Sequence, residues 1–395
     1  MFHHSVSIQY VGIFVKREYT VKLRLTAVGI LGRIRKFNAT KGKTLKLEFK
    51  PDFEESRKRW DNFWKNTNKE PLVSIVAPKE GVTPVEKPPY MAGHDGNFEP
   101  VIEQVYNWAK THEFIGDALP FYQVEFGPDH FSTFLGADME FSKDSNSTSW
   151  AVPFVKDWDT VELKFRKDSE WWDKTLKFIR ALRKALDGKV LIAAPTAMAG
   201  LDSLAAIRGT QELLIDTIDA PEKIKKANAE QFKVYIEALG ELFKELDQEN
   251  LGSVNRHGMY SSGKLAIPQC DFSCMLGKEM YNKLQLPILE KETEYLTASE
   301  YHLDGPGALQ HLEAICAVKK LGIIQWVPGA GAAAEKDWTE LYKRIDALGK
   351  GMILSEPPEN YKKLLPQLRT RQLFLKNAAG SKKEAETLYA KLVKL

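Results

Sequence analysis

Cysteine is scarce in this 395-residue chain: Cys270, Cys274 and Cys316 are its only three. Three thiols cannot build a disulfide framework, and free thiols fit a reducing, cytoplasmic setting. Cys270 and Cys274 have no second Cys or His pair at finger spacing, so a structural zinc site is not expected, and both are read as small packing residues. No apolar run of about 18 residues occurs, which argues against a membrane-spanning helix. There is no internal repeat and no low-complexity tract. Acidic residues are almost missing from residues 1–50, where eleven Lys/Arg face only Glu18 and Glu48.

What is present is ordinary globular composition, 43% hydrophobic and 28% charged. The net charge of +3 hides a basic start and an acidic remainder. Residues 1–46 are read as a basic extension outside the main fold. A nucleic-acid or acidic-membrane arm and a targeting peptide are the alternatives. No aromatic-basic platform follows it, so neither nucleic acid nor membrane is expected as a partner.

The body, residues 47–395, opens at Pro51-Asp52-Phe53-Glu54-Glu55, a capping-box pattern. Phe53, Trp60, Phe63 and Trp64 then recur at helical spacing. Eight short apolar runs follow, starting near residues 72, 121, 190, 253, 266, 298, 321 and 350, with a further run at Leu373-Phe-Leu375. Helical stretches fall at 171–186, 201–216, 221–246, 276–297, 307–319, 335–348, 358–368 and 381–395. Alternating strands and helices imply a largely parallel sheet, and eight strands favour a (β/α)8 TIM barrel. Polar residues 142–166, which include an Asn146-Ser-Thr sequon, are read as a lid-like insertion over its mouth.

In such barrels the chemistry sits at the strands' C-terminal ends. Lys79, Glu125, His130, Arg256, His257, Asp271, His302, Asp304, Trp326 and Glu356 all fall there, with His94 nearby. His302 and Asp304 stand two apart in Tyr301-His302-Leu-Asp304-Gly305, so both side chains leave one face of a strand. They form either a proton-transfer pair or part of a metal site; the alternative is a core histidine and a helix cap. Arg256 can clamp a substrate carboxylate or pair with a neighbouring acid. Gly329-Ala-Gly331 can cradle an anion or serve as a plain turn.

Two stretches resemble the uroporphyrinogen decarboxylase superfamily, which includes the methyl-corrinoid methyltransferases. One runs from Leu191-Ile-Ala-Ala-Pro195 through Gly209-Thr-Gln-Glu-Leu-Leu-Ile-Asp216 to Ala220-Pro221-Glu222. The other is Tyr301-His302-Leu-Asp304-Gly305, similar to the His-Xaa-Cys-Gly motif of the methyltransferase branch. The resemblance covers roughly residues 50–395 and implies a uroporphyrinogen decarboxylase-like barrel with a small-molecule substrate. It implies methyl transfer, with His302, Asp304 and Asp271 as catalytic groups. Arg256, His257, Tyr301, Trp326, Glu125, His130 and Lys79 are the candidate substrate contacts. Methylcobalamin on a corrinoid partner protein is the implied methyl source.

The departures bear on chemistry. Asp304 stands where that branch has Cys, and Leu373 to Gly380 contains no Cys, so a thiolate zinc site is not expected. His302, Asp304 and Glu356 are instead candidate ligands for a harder divalent metal. The arginine-rich opening of the true decarboxylases is missing from Val73 to Glu80, which argues against uroporphyrinogen itself. Metal-free decarboxylation of another carboxylic acid is the second reading, and a non-catalytic ligand-binding barrel the third.

Overall fold

Pro120, Pro195 and Pro268 each remove a backbone donor at the edge of a short strand, and the sheet is interrupted where they stand. The computed structural model describes residues 46–142, 148–329 and 336–395. The basic extension up to residue 45, the Asn146 sequon, the Gly331 part of the glycine loop and the start of the expected 335–348 helix lie outside the described residues.

Thirteen strands are present among the described residues: β1 (Leu72–Pro78), β2 (His112–Gly116), β3 (Phe121–Gln123), β4 (Asp138–Phe141), β5 (Ser149–Val152), β6 (Leu191–Ala193), β7 (Ser253–Val254), β8 (Tyr260–Ser261), β9 (Leu265–Ala266), β10 (Ala298–Asp304), β11 (Ile323–Val327), β12 (Gly351–Leu354) and β13 (Leu373–Ala378). Seven form one sheet in the order β2-β1-β13-β12-β11-β10-β9, parallel except for β2. β3 and β6 form a separate parallel pair. The fold is thus a mixed α/β, TIM-like arrangement with a parallel sheet and flanking helices. The expected closed eight-stranded barrel does not appear as one continuous hydrogen-bonded ladder among the described residues.

The expected strands shrink or grow at their ends. The run at 121 keeps only three residues in strand, whereas β13 extends its expected three residues to six. β2 and the helix Glu99–Thr111 before it are additions to the sequence reading. The expected helix 201–216 breaks at Gly209, whose φ of +104° favours glycine, and restarts as Thr210–Asp219. The expected 276–297 helix likewise divides at Gln285. Part of the insertion is a hairpin, with β4 antiparallel to β5.

The helix Phe53–Trp64 lies across the starts of the strands. Gln372 Nε2 donates to Phe63 O at 2.9 Å, and Trp64 Nε1 to Tyr260 O at 2.6 Å. Phe53, Trp60 and Phe63 are fully buried, each contributing about 1.5–3 kcal/mol of burial energy. The Asp52 capping box does not form: the Asp52 carboxylate accepts from Lys50 at 2.9 Å instead. With that helix at the strand starts, the open face of the sheet is at the strands' C-terminal ends.

Candidate functional site

Alternation along β10 sends Tyr301 and Leu303 outward and Glu300, His302 and Asp304 inward. Register then fixes the neighbours. His302 stands opposite Gln325 on β11 and bridges to Gln269 on its other side. His302 Nδ1 meets Gln325 Oε1 in a short hydrogen bond. The amide oxygen can only accept, so the proton sits on Nδ1 and the Nε2 lone pair is left for other chemistry. Nε2 points toward Asp304, 4.0 Å from Oδ2.

Asp271 completes the group. One ligand atom from each of Asp271, His302 and Asp304 can be chosen so that all lie within 4.8 Å of one another. Asp271 reaches this point because the turn it begins is anchored from below. The Asp202 carboxylate accepts from the backbone N–H of Asp271 at 3.0 Å and of Phe272 at 2.9 Å. Burial and then the nearby Asp304 push the Asp271 carboxyl up to about 6, against the opposing pull of Arg256. Burial and then Asp271 push Asp202 up to about 6. The Asp271 and Asp304 carboxylates beside an imidazole lone pair fit a divalent cation with mixed oxygen and nitrogen ligands.

A second constellation adjoins the first. His257 Nδ1 lies 2.5 Å from Glu300 Oε1, and Asn255 Nδ2 donates to Glu300 Oε2 at 2.7 Å. Glu300 is fully buried. Burial opposes its charge, but His257, Arg256 and Asn255 together hold its carboxyl below the usual range. Burial also lowers His257, with Glu300 opposing. The imidazoles of His257 and His302 are 6.2 Å apart. Glu300 is absent from the candidates drawn from sequence. The signal for it was the period-two series Glu300-His302-Asp304.

Arg256 forms no ion pair with a neighbouring acid among the described residues. Its guanidinium donates to neutral acceptors: His257 Nε2 at 3.3 Å, Gln269 Oε1 at 3.1 Å and Thr196 Oγ1 at 3.4 Å. Its charge is therefore held at the strand ends without a direct carboxylate contact.

Other expected site residues fall elsewhere. Tyr301 and Trp326 are on outward positions and do not wall the site. Tyr301 OH lies 3.4 Å from Tyr281 OH, and Trp326 packs edge-on against Trp338 at 4.9 Å. Lys79 extends over the Phe49 ring, 5.8 Å from its centroid. Glu125 and His130 are buried against each other at 3.0 Å, and His130 Nε2 is occupied by Thr175 at 2.9 Å. His94 stacks on Phe141 at 4.3 Å. Glu356 stands outside the three-residue cluster; its oxygens accept from Tyr342 OH at 2.9 Å and Asn360 Nδ2 at 3.1 Å. Cys270 is buried as expected, but Cys274 is exposed.

No protein family and no curated protein matches the sequence. Among solved structures, a methyltransferase from Methanosarcina mazei shares the fold with a TM-score of 0.56. The match covers 85% of this chain and 97% of that one at 9% identity. The likeness is one of fold.

Proposed function

We propose that the chain is a methyltransferase of the uroporphyrinogen decarboxylase superfamily type, acting on a small molecule at the C-terminal ends of its strands. Asp271, His302 and Asp304 hold a divalent metal there. The observation that carries this is the three-residue cluster itself, with the His302 tautomer set by Gln325 so that Nε2 faces the two carboxylates. The fold shared with a methyltransferase supports the reaction class.

The bound metal supplies Lewis acidity that makes an acceptor thiol, amine or hydroxyl easier to deprotonate. The protein groups do the rest. His257 takes the acceptor's proton, and the buried Glu300 carboxylate stabilises the imidazolium that results. Arg256 places positive charge beside the acceptor. The methyl donor is methylcobalamin carried by a corrinoid partner protein. With Asp304 in place of a thiolate, the metal is harder than in a cysteine-ligated site.

The experiment is a methyl-transfer assay with methylcobalamin and a panel of thiol and amine acceptors, read by the cobalt-carbon absorbance. Loss of that absorbance in wild type but not in His302→Ala is the expected result. An unchanged spectrum with every acceptor, in protein shown to contain metal, counts against methyl transfer.

A further inference from the structure

Two lysines outside the cluster, Lys87 and Lys376, have no task in the chemistry above. Lys376 is on β13, opposite Ser74 of β1. Its neighbours on the strand alternate as on β10: Phe374 packs against Trp60 at the strand starts, and Asn377 turns outward to Tyr361. Lys376 therefore projects inward, where its charge acts on His257, Glu300 and Lys87. Lys87 comes from the loop after β1. Its Nζ sits 3.9 Å from the centroid of the Phe121 ring and 4.8 Å from that of Trp108. Phe121 marks the position: its ring edge would be 3.0 Å from a Cβ at Gly258, the residue after His257.

Neither ammonium has a carboxylate within ion-pair distance among the described residues. The acid that acts on Lys376 is Glu300, and its two oxygens are already taken by His257 and Asn255. Burial and then Lys376 bring Lys87 down to about 7. Lys376 is solvent-exposed and Lys87 half-buried against its two rings, so a dissolved ligand can reach both amines. Arg256 adds a third charge without a carboxylate contact. The neighbouring acids are already engaged, Glu300 by His257 and Asn255, and Glu125 by His130 and the Thr196 backbone N–H.

We infer that Lys87 and Lys376, with Arg256 beside them, bind an anionic group on the substrate, a carboxylate or a phosphate, across the inner face from the metal cluster. Such a group supplies the missing counter-charge. It also orients the acceptor by its far end, leaving the reacting end at Asp271, His302 and Asp304. The inference rests on the proposed site in placing the substrate over that cluster, and metal content reads that placement separately.

The test is calorimetric titration of the full chain with inorganic phosphate and, separately, with acetate. Saturable binding of one of them is expected, and which one binds identifies the group. Lys87→Met and Lys376→Met each weaken it about 10- to 100-fold, the worth of one charge-assisted hydrogen bond. Lys376→Arg retains most of it. Metal content stays at the wild-type level in all three, which separates loss of anion binding from loss of the fold or of the metal site. Reductive methylation at pH 7, followed by mass spectrometry, gives a second reading on wild type alone. Lys87 is labelled ahead of exposed lysines, and saturating anion protects it. No saturable binding of either anion, equal binding by wild type and both Met variants, or labelling of Lys87 unchanged by anion overturns the inference.

Discussion

Two hydrogen-bonded histidine–carboxylate pairs stand among the described residues, and they differ in exposure. His130 and Glu125 meet at 3.0 Å and His257 and Glu300 at 2.5 Å, so the pairing itself is similar. His130 is wholly buried, and its second ring nitrogen is consumed by Thr175. His257 keeps 18% of its side chain exposed and is flanked by Arg256 and His302. The first pair ties the β3 end to the helix Glu170–Leu186 and has nothing left to offer a substrate. The second has an accessible imidazole backed by a buried carboxylate, which is what proton transfer needs. Residue type and position at a strand end do not separate the two; exposure does, because both second nitrogens have a partner, Thr175 at 2.9 Å for His130 and Arg256 at 3.3 Å for His257.

That contrast breaks most visibly under substitution. His257→Ala should lower turnover about 10²- to 10⁴-fold, the usual worth of a general base, while thermal unfolding changes little. His130→Ala should do the reverse. It leaves Glu125 buried without its partner, costing about 3 kcal/mol of stability in a denaturant titration, with turnover per folded molecule preserved. If both variants lose turnover equally at equal stability, the distinction fails.

Gln325→Ala tests the tautomer argument. Freed of its Nδ1 partner, His302 should bind metal about 10- to 100-fold more weakly, measured by competition with a chelator. Equal affinity would mean that Gln325 does not orient the ligand.

The pH dependence sharpens the same point. Asp271 and Asp202 have carboxyls raised to about 6 in the fold, above the ordinary aspartate value. The folded state therefore holds more protons than the unfolded chain between about pH 4 and 6. Their contribution to stability is present below the unfolded value and lost as pH rises through about 6. Metal-free protein should thus lose stability over that window. Metal should remove the loss, and its affinity should fall as pH drops through about 6. Thermal scans from pH 4 to 7.5, with and without metal, check both signs.

The smallest effect concerns the outward positions. Tyr301→Phe should cost at most about 1 kcal/mol, from one weak hydroxyl contact, and leave turnover unchanged. A fall in turnover would place Tyr301 in the site after all.

Much of this was legible in the chain, and the limits are physical. The period-two series on β10 identified His302 and Asp304 as partners, and the strand-end rule pointed to Asp271, Arg256 and His257. Tyr301 and Trp326 were misjudged because strands covered on both faces are apolar on both. Alternation then tells which residues share a face but not which face is inside. Gln325 needed the β10–β11 register, which no local signal encodes. Lys87 and Lys376 are separated by most of the chain, and Lys376 reaches the strand beside Ser74 only when β13 returns along β1. Glu125 and His130 satisfied the strand-end rule but were sealed by neighbours that the rule does not consider.

The most direct measurement is metal stoichiometry by elemental analysis after loading with a divalent ion and desalting, on wild type beside His302→Ala and Asp271→Asn. One ion per chain in wild type, lost in His302→Ala and sharply reduced in Asp271→Asn at unchanged fold, is the predicted result. No retained ion in wild type, or the same content in all three proteins, would contradict the account.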